Sequence, residues 1–229
     1  RCVSAADRCE PAHAPGSVGW WRERDARLGR RRPRADGLTI ERIVDEAIRL
    51  VDADGLDALT VRALAARFGT GPATLYRHVA SRDELLVLLV DRVIGEVELP
   101  PTDLPPRAQV EALASGLRRV LLRHRALVPA LPAAPLQGPN AMSGSERALA
   151  AFLAAGYTPE IAAAAYLALL DYVLGSVSFD SARLGREAYE ARDSLDPRFG
   201  RVERLHSDEV FAFGIRALLD GLEAGQPRR

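Results

Sequence analysis

Apolar side chains recur at helical spacing in the segment that follows residue 38. Relative to Ile40, the side chains of Ile43, Val44, Ala47, Ile48 and Val51 follow at three, four, seven, eight and eleven residues. This spacing places them on one face of an α-helix. Thr39 can cap the start of that helix, and Gly55 is placed to end it. The pattern therefore predicts an amphipathic helix over residues 39–55.

Three further helices follow at close spacing, and the first two of these are short. The second runs from a Thr60 cap to Gly69, and the third starts at Pro72, a residue suited to the first turn of a helix. Ser81 and Glu84 have the spacing of a capping box, which predicts the start of a fourth helix that runs towards residue 97. Helices this short and this closely spaced indicate a small domain, which we assign to residues 38–84.

The rest of the chain is also helical in its periodicity, and no stretch alternates in the manner of a strand. Helices are predicted near residues 110–121, 145–155, 159–179 and 205–222, with prolines interrupting residues 129–139 and a polar loop over 180–203. The helix that contains residues 162–177 is apolar almost all round. It must therefore be buried on all sides, either within the chain or against a second copy. We predict an all-α fold, with a larger helical domain over residues 85–229.

The first 37 residues differ from the rest in composition. They carry nine arginines against five acidic residues, several prolines and glycines, and no helical apolar period. We expect a flexible, Arg-rich N-terminal extension. The arginine cluster at residues 30–34 has two interpretations, which are a solvated tail and a basic arm that touches DNA phosphates or a minor groove.

Composition excludes several classes of protein. Thirty-one basic and thirty-one acidic residues cancel, so bulk charge gives no argument for a nucleic-acid or membrane partner. The sequence shows neither an uninterrupted apolar run long enough for a membrane span nor a secretory signal. Cys2 and Cys9 have no histidine at ligand spacing, so we expect no metal site and no cofactor. The expected protein is soluble and cytoplasmic.

The two short helices between residues 64 and 79 have the spacing of a helix-turn-helix. Gly69 or Gly71 can supply the tight turn between them, and Leu75 and Val79 are expected to face inward. The outward-facing residues are then Thr74, Tyr76, Arg77 and His78. These side chains are rich in hydrogen-bond donors, which suits DNA phosphates and the acceptor-rich edges of the major groove.

The segment 38–98 resembles the N-terminal domain of the tetracycline-repressor (TetR) family. The similar stretches are LTVRALA at 59–65, TLYRHV at 74–79 and RDELL at 82–86. The resemblance implies three groups of DNA contacts: Thr60 and Arg62, with Arg62 reading a guanine; Pro72 and Thr74 against base edges or thymine methyl groups; and Tyr76, His78 and Arg82 on phosphates. Arg77 is a further candidate, at a position where family members often have an aromatic residue or lysine.

The C-terminal part resembles the regulatory domain of the tetracycline repressor's own subfamily. The similar stretch is LAAFLAAGYTP at 149–159, followed by an apolar helix that contains Gly175. The resemblance implies a homodimer through helices near 159–179 and 205–222, bound to an inverted-repeat operator. It also implies a small-molecule pocket, for which Leu131, Phe152 and Tyr172 are the candidate lining residues.

The ligand set of the tetracycline-binding repressors is not present. Glu98 and Leu131 stand where those proteins have histidines, and the alanine-rich residues 112–114 stand where they have an asparagine. We therefore expect an apolar or aromatic inducer rather than tetracycline–magnesium.

Two other classes of function compete with the repressor hypothesis. An enzyme would need a catalytic set, but His124 and His206 lack an evident nucleophile partner and no phosphate-binding loop is present. A helical small-molecule-binding protein without specific DNA binding is the other alternative. Arg62, Thr74, Tyr76 and His78 argue against it. The sequence favours a ligand-responsive transcriptional repressor without catalytic residues.

Overall fold

The computed structural model describes residues 13–28, 38–184 and 207–225, and the regular structure of these ranges is helical throughout. The α-helices are α1 (Val18–Leu28), α2 (Ile40–Asp54), α3 (Val61–Arg67), α4 (Pro72–Leu75), α5 (Arg82–Ile94), α6 (Pro106–Arg123), α7 (Pro139–Ala154), α8 (Pro159–Leu184) and α9 (Ser207–Ala224). Two 3-10 segments, Leu56–Ala58 and Arg125–Ala133, lie between them. The predicted all-α fold is confirmed.

Helix α2 forms for the reasons that its sequence predicts. The Thr39 side chain accepts a hydrogen bond from the Arg42 N–H at 3.3 Å, and Gly55 ends the helix at φ +86°. Its buried residues are Ile43, Val44, Ala47, Leu50 and Val51. The apolar stripe is thus the face that packs, which is how an amphipathic helix gains most of its stability.

Helix α1 corrects the expectation of a flexible extension over residues 1–37. Residues 18–28 are helical, and Trp20 and Trp21 are only 3% and 9% exposed. Two adjacent aromatic side chains supply the buried area that a periodic apolar stripe supplies elsewhere. The expectation is therefore wrong for residues 13–28. The arginine cluster at 30–34 lies outside the described residues.

The chain divides into two compact units. The first contains the described residues up to Arg92 together with Pro129–Met142, and the second contains Val93–Val128 and the described residues from Ser143 onward. The boundary predicted after residue 84 falls inside α5, since that helix is continuous from Arg82 to Ile94. The proline-rich segment, predicted as part of the larger domain, belongs to the first unit.

A buried carboxylate joins that segment to α5. Asp91 is 6% exposed and accepts hydrogen bonds from the backbone N–H groups of Asn140 at 3.4 Å and Ala141 at 3.1 Å. It thereby caps the start of α7, whose first N–H groups have no partner within the helix. Burial raises the pKa of Asp91, although these hydrogen bonds oppose the shift.

A charged cluster lies in the core of the second unit. Arg118 of α6 donates to Asp180 of α8 at 2.7 Å, and to Ser207 and Asp208 at the start of α9 at 2.5 Å each. The guanidinium also lies 4.9 Å from the ring centre of Phe211. Because its charge is paired and hydrogen-bonded, Arg118 can be buried in an apolar bundle.

Helix α8 is longer than predicted and less buried than its composition requires. It continues to Leu184, so residues 180–184 are helical rather than part of a loop, and residues 185–206 lie outside the described ranges. Among the described helices, α8 alone is long and apolar enough to cross a membrane, over its segment Pro159–Asp180 with mean hydropathy 1.6, yet only 28% of the most apolar 18 residues are buried. Its exposed apolar residues include Leu167 and Phe179.

Candidate DNA interface and ligand cavity

The turn between α3 and α4 is built on one glycine. Gly69 has φ +61°, in the left-handed region, and its N–H donates to the Ala66 carbonyl at 3.0 Å. The N–H of Thr70 donates to the Ala65 carbonyl, also at 3.0 Å. This pair of bonds is a Schellman motif, which satisfies the last carbonyls of α3 while reversing the chain. The predicted glycine turn is confirmed, and Gly69 is the residue that makes it.

The recognition segment, residues 72–79, contains α4 and the turn after it. Pro72 occupies the first turn of α4, and regular α-helix ends at Leu75, earlier than predicted. Leu75 and Val79 are 2% and 5% exposed, as their spacing predicts. Tyr76 is 49% exposed and Arg77 is also exposed, while Thr74 and His78 are half-buried. The outer face of the segment therefore carries the polar side chains expected of a DNA-reading surface.

Thr60 and Arg62 lie at the start of α3. The Thr60 hydroxyl accepts a hydrogen bond from the Ala63 N–H at 3.1 Å and so caps the helix. Arg62 is exposed, while Leu64 and Ala65 of the same helix are buried. The arginine that the family resemblance assigns to guanine is thus presented to solvent by a capped helix.

Arg82 has a structural task that the sequence did not reveal. Its Nε donates to the Leu59 carbonyl at 3.2 Å, and its Nη2 donates to the Leu56 carbonyl at 3.3 Å. These bonds attach the turn before α3 to the start of α5. Contact of Arg82 with a phosphate stays a prediction.

Arg67 fastens α3 to α2. Its guanidinium donates to Glu46 at 3.0 Å and to Asp54 at 3.1 Å. Hydrogen bonds from Arg67 and then Arg49 lower the pKa of Glu46. Sequence analysis missed this cluster because its residues are far apart in the chain. These ion pairs hold α3, the first helix of the helix-turn-helix, against α2.

The second unit contains a cavity of about 240 Å³. Its lining residues are Pro106, Arg107, Val110, Ala151, Phe152, Ala155, Tyr157, Leu219 and Glu223. Phe152 and Tyr157 meet edge to face with their ring centres 5.9 Å apart. Burial raises the pKa of Tyr157, and the nearby charge of Glu223 adds to that shift. The cavity is therefore lined mainly by aromatic and aliphatic side chains, together with the charged residues Arg107 and Glu223.

The three predicted pocket residues are not brought together in one unit. Phe152 lines the cavity, whereas Leu131 is a buried residue of the first unit. Tyr172 is stacked on Phe211 with ring centres 5.6 Å apart, and its hydroxyl donates to the Val210 and Phe211 carbonyls. Gly214 permits this approach, because a Cβ there would overlap the Tyr172 hydroxyl. Within the described ranges, no cluster of three or more His, Cys, Asp or Glu side chains could hold a metal ion.

Two family models match the chain. The model of the tetR family of bacterial regulatory proteins matches residues 43–89, and the tetracyclin repressor-like C-terminal domain matches residues 101–225. The chain belongs to the TetR family. It is therefore a transcriptional regulator of the helix-turn-helix type, as the geometry of residues 60–79 indicates.

Individual relatives agree with this assignment. The chain is 39% identical over 198 residues to an HTH-type transcriptional regulator of Saccharopolyspora erythraea, covering 86% of this chain and 79% of that protein. It is 33% identical to the repressor DrrR1 of Streptomyces coeruleorubidus, covering 81% and 77%. The structure of the TetR family protein ActR of Streptomyces coelicolor in complex with actinorhodin matches with a TM-score of 0.73 at 35% identity, covering 83% of this chain and 99% of ActR.

The glycine turn predicts that serine is tolerated less well at position 69 than at position 71. A Cβ added at Gly69 or at Gly71 would meet open space, but only Gly69 has a positive φ, since Gly71 lies at φ −81°. We expect Gly69→Ser to lower the free energy of unfolding by about 1 kcal/mol, because a side chain disfavours the left-handed conformation. Gly71→Ser should be neutral, since serine is a good helix N-cap. Urea unfolding of both variants measures the two free energies of unfolding. Equal losses would contradict the assignment of Gly69 as the residue that makes the turn.

Proposed function

We propose that this TetR-family regulator is a cytoplasmic repressor that binds an inverted-repeat operator as a homodimer. The observation that carries the proposal is the recognition segment, whose buried Leu75 and Val79 leave a polar outer face directly after a glycine turn. Two such segments about one helical turn of DNA apart, roughly 34 Å, would read two half-sites. The neutral overall charge does not oppose this, because DNA affinity depends on the local contacts of one face.

The residues of the interface divide by the chemistry that they offer. Arg62 is the candidate for bidentate hydrogen bonds to guanine, which is the commonest specific contact of arginine in the major groove. Pro72 and Thr74 offer an apolar surface and a hydroxyl to base edges. Donors for phosphates come from the remaining candidates: Thr60, Tyr76, Arg77, His78 and Arg82.

Selection of duplexes from random DNA tests the operator. The wild-type protein should enrich an inverted repeat with half-sites about one helical turn apart. Arg62→Ala should weaken binding to the selected duplex by about 1–3 kcal/mol and relax the preference at one guanine in each half-site. Arg119→Ala, an exposed arginine of α6, is the matched control and should leave both quantities unchanged. The readout is a repeat of the selection with each variant.

Two results would count against this assignment. If the folded wild-type protein enriches no sequence, the alternative of a small-molecule-binding protein without specific DNA binding is favoured. If Arg62→Ala weakens binding equally at all sequences, Arg62 contacts phosphate and does not read a base.

The dimer is proposed from matching exposed stripes on α8 and α9. The exposed residues of α8 include Ile161, Ala164 and Leu167, which recur at helical spacing. On α9 the exposed Val210 and Phe213 lie three residues apart, and Phe213 is 67% exposed. Two such stripes from each of two chains can close a four-helix interface and remove the apolar surface from water. This arrangement accounts for a helix that is apolar all round but mostly unburied within its own chain.

Substitution on the stripe tests the dimer. Leu167→Glu places a charge in the proposed interface, so we expect a monomer and the loss of cooperative operator binding. Leu153→Glu is the matched control, because Leu153 is 47% exposed but lies on α7, outside the stripes. Analytical ultracentrifugation should show a dimer for the wild type and for the control. A dimeric Leu167→Glu protein would move the interface to another face.

We propose an aromatic small molecule as the inducer, bound in the second unit. The cavity floored by Phe152 and Tyr157 supports this, because ring pairs of this kind favour planar aromatic ligands. ActR, similar over 83% of this chain, binds actinorhodin, so actinorhodin is the first probe. Leu131 and Tyr172 remain candidate pocket residues.

Release of the selected duplex measures the response to the probe. Actinorhodin should dissociate the wild-type complex, and Phe152→Ala should raise the concentration required by about tenfold through the loss of ring contacts. Leu153→Ala changes the neighbouring exposed side chain and should leave the response unchanged. A normal response of Phe152→Ala would exclude this cavity as the inducer site.

A further inference from the structure

Helix α1 precedes both stretches that match the family models, the first of which begins at residue 43. The family match therefore does not account for its packing in the first unit. The helix is held at several points. Trp20 and Trp21 are buried, and the chain at Gly16 lies against Val87 of α5 and Pro135. The element is thus a fixed part of the unit that contains the recognition segment.

Helix α1 forms an ion pair with α5. The Arg24 Nη1 lies 2.5 Å from the Glu84 Oε1, and both side chains are 11% exposed. The Arg24 guanidinium also lies 5.4 Å from the ring centre of Trp20. A buried ion pair of this kind fixes the geometry of both partners, because removing one leaves the other as an uncompensated charge.

The second oxygen of Glu84 acts on the recognition segment. Oε2 accepts a hydrogen bond from the Ala80 N–H at 2.6 Å, and Ala80 directly follows the buried Val79. The N–H of Glu84 itself donates to the Ser81 hydroxyl at 3.0 Å. The capping glutamate of α5 therefore holds the end of the recognition segment with one oxygen and α1 with the other.

We propose that Arg24 is a positioning residue for operator recognition, which acts through Glu84 without touching DNA. Arg24 keeps the Glu84 carboxylate where Oε2 meets Ala80, and this sets the position of the end of the recognition segment. Direct reading of bases depends on that position to within a fraction of an ångström, whereas attraction to phosphates does not. Loss of Arg24 therefore reduces specific binding and spares non-specific binding. The inference rests on the proposed operator binding.

The test compares two arginines of the same helix. Arg24→Gln and Arg22→Gln remove the same charge, but Arg22 is exposed. Affinity is measured for the duplex selected by the wild type and for a scrambled duplex of equal length, at several salt concentrations. We expect Arg24→Gln to weaken binding to the selected duplex about tenfold, or about 1.4 kcal/mol, and binding to the scrambled duplex by less than about twofold. Arg22→Gln should change both by less than about twofold.

Coupling to Glu84 is tested with a double-mutant cycle. Glu84→Gln keeps an acceptor for the Ala80 N–H but loses the ion pair, so we expect it to weaken binding to the selected duplex as much as Arg24→Gln does. The double variant should bind that duplex no more weakly than either single variant, because the two residues act as one unit. Arg24→Lys keeps the charge without the planar guanidinium, and its affinity should lie between those of Arg24→Gln and the wild type. It also serves as the test variant if Arg24→Gln does not fold at the assay temperature.

Three outcomes would overturn the inference. Equal losses for Arg24→Gln and Arg22→Gln would show an effect of charge alone. The salt dependence of binding gives the second outcome. If the slope of log K against log salt is smaller for Arg24→Gln than for the wild type by about 1.8, or 0.9 for each of two protomers, Arg24 contacts phosphate directly. Additive effects in the cycle would separate Arg24 from Glu84. If the wild-type protein selects no duplex at all, the proposed operator binding fails first, and that result is distinct from these.

Discussion

Burial of α5 along its whole circumference is the constraint on which the first unit depends. Residues 84–91 are all buried, and two of them, Glu84 and Asp91, carry carboxylates. A buried carboxylate must be hydrogen-bonded, because removing its charge from water costs free energy that only hydrogen bonds or an ion pair can offset. Glu84 is satisfied by Arg24 and by the N–H of Ala80, and Asp91 by the start of α7. Each acid thus requires a hydrogen-bonding partner beside its end of the helix.

This constraint explains why the first unit includes segments from three parts of the chain. The two acids lie seven residues apart, about two helical turns, and so share a side of α5. Helix α1 reaches Glu84, while the segment Pro129–Met142 reaches Asp91. Neither segment is part of the helix-turn-helix, yet both complete hydrogen bonds that the buried acids of α5 require. The boundary of the DNA-binding unit is therefore set by buried polar groups rather than by the end of a sequence motif.

Sequence reasoning succeeded where local chemistry determines the structure. The stripe of α2, the Thr39 and Thr60 caps and the inward Leu75 depend on spacings of a few residues, and each is confirmed. It failed for α1, because two adjacent tryptophans produce no periodic signal. Contacts such as Arg82 with the carbonyls of Leu56 and Leu59 could not be predicted, since tertiary packing brings those atoms together.

The candidate sites differ in the same way. The candidate DNA interface is a short stretch of the chain, and its candidate residues could be chosen from helical spacing and from the family resemblance before the fold was known. The cavity takes residues from three helices that are far apart in the chain, and only Phe152 of its lining was anticipated. The spacing of residues along one helix does not show which other helices pack beside it, because tertiary packing decides that. The rest of the lining could therefore not be assigned from the sequence.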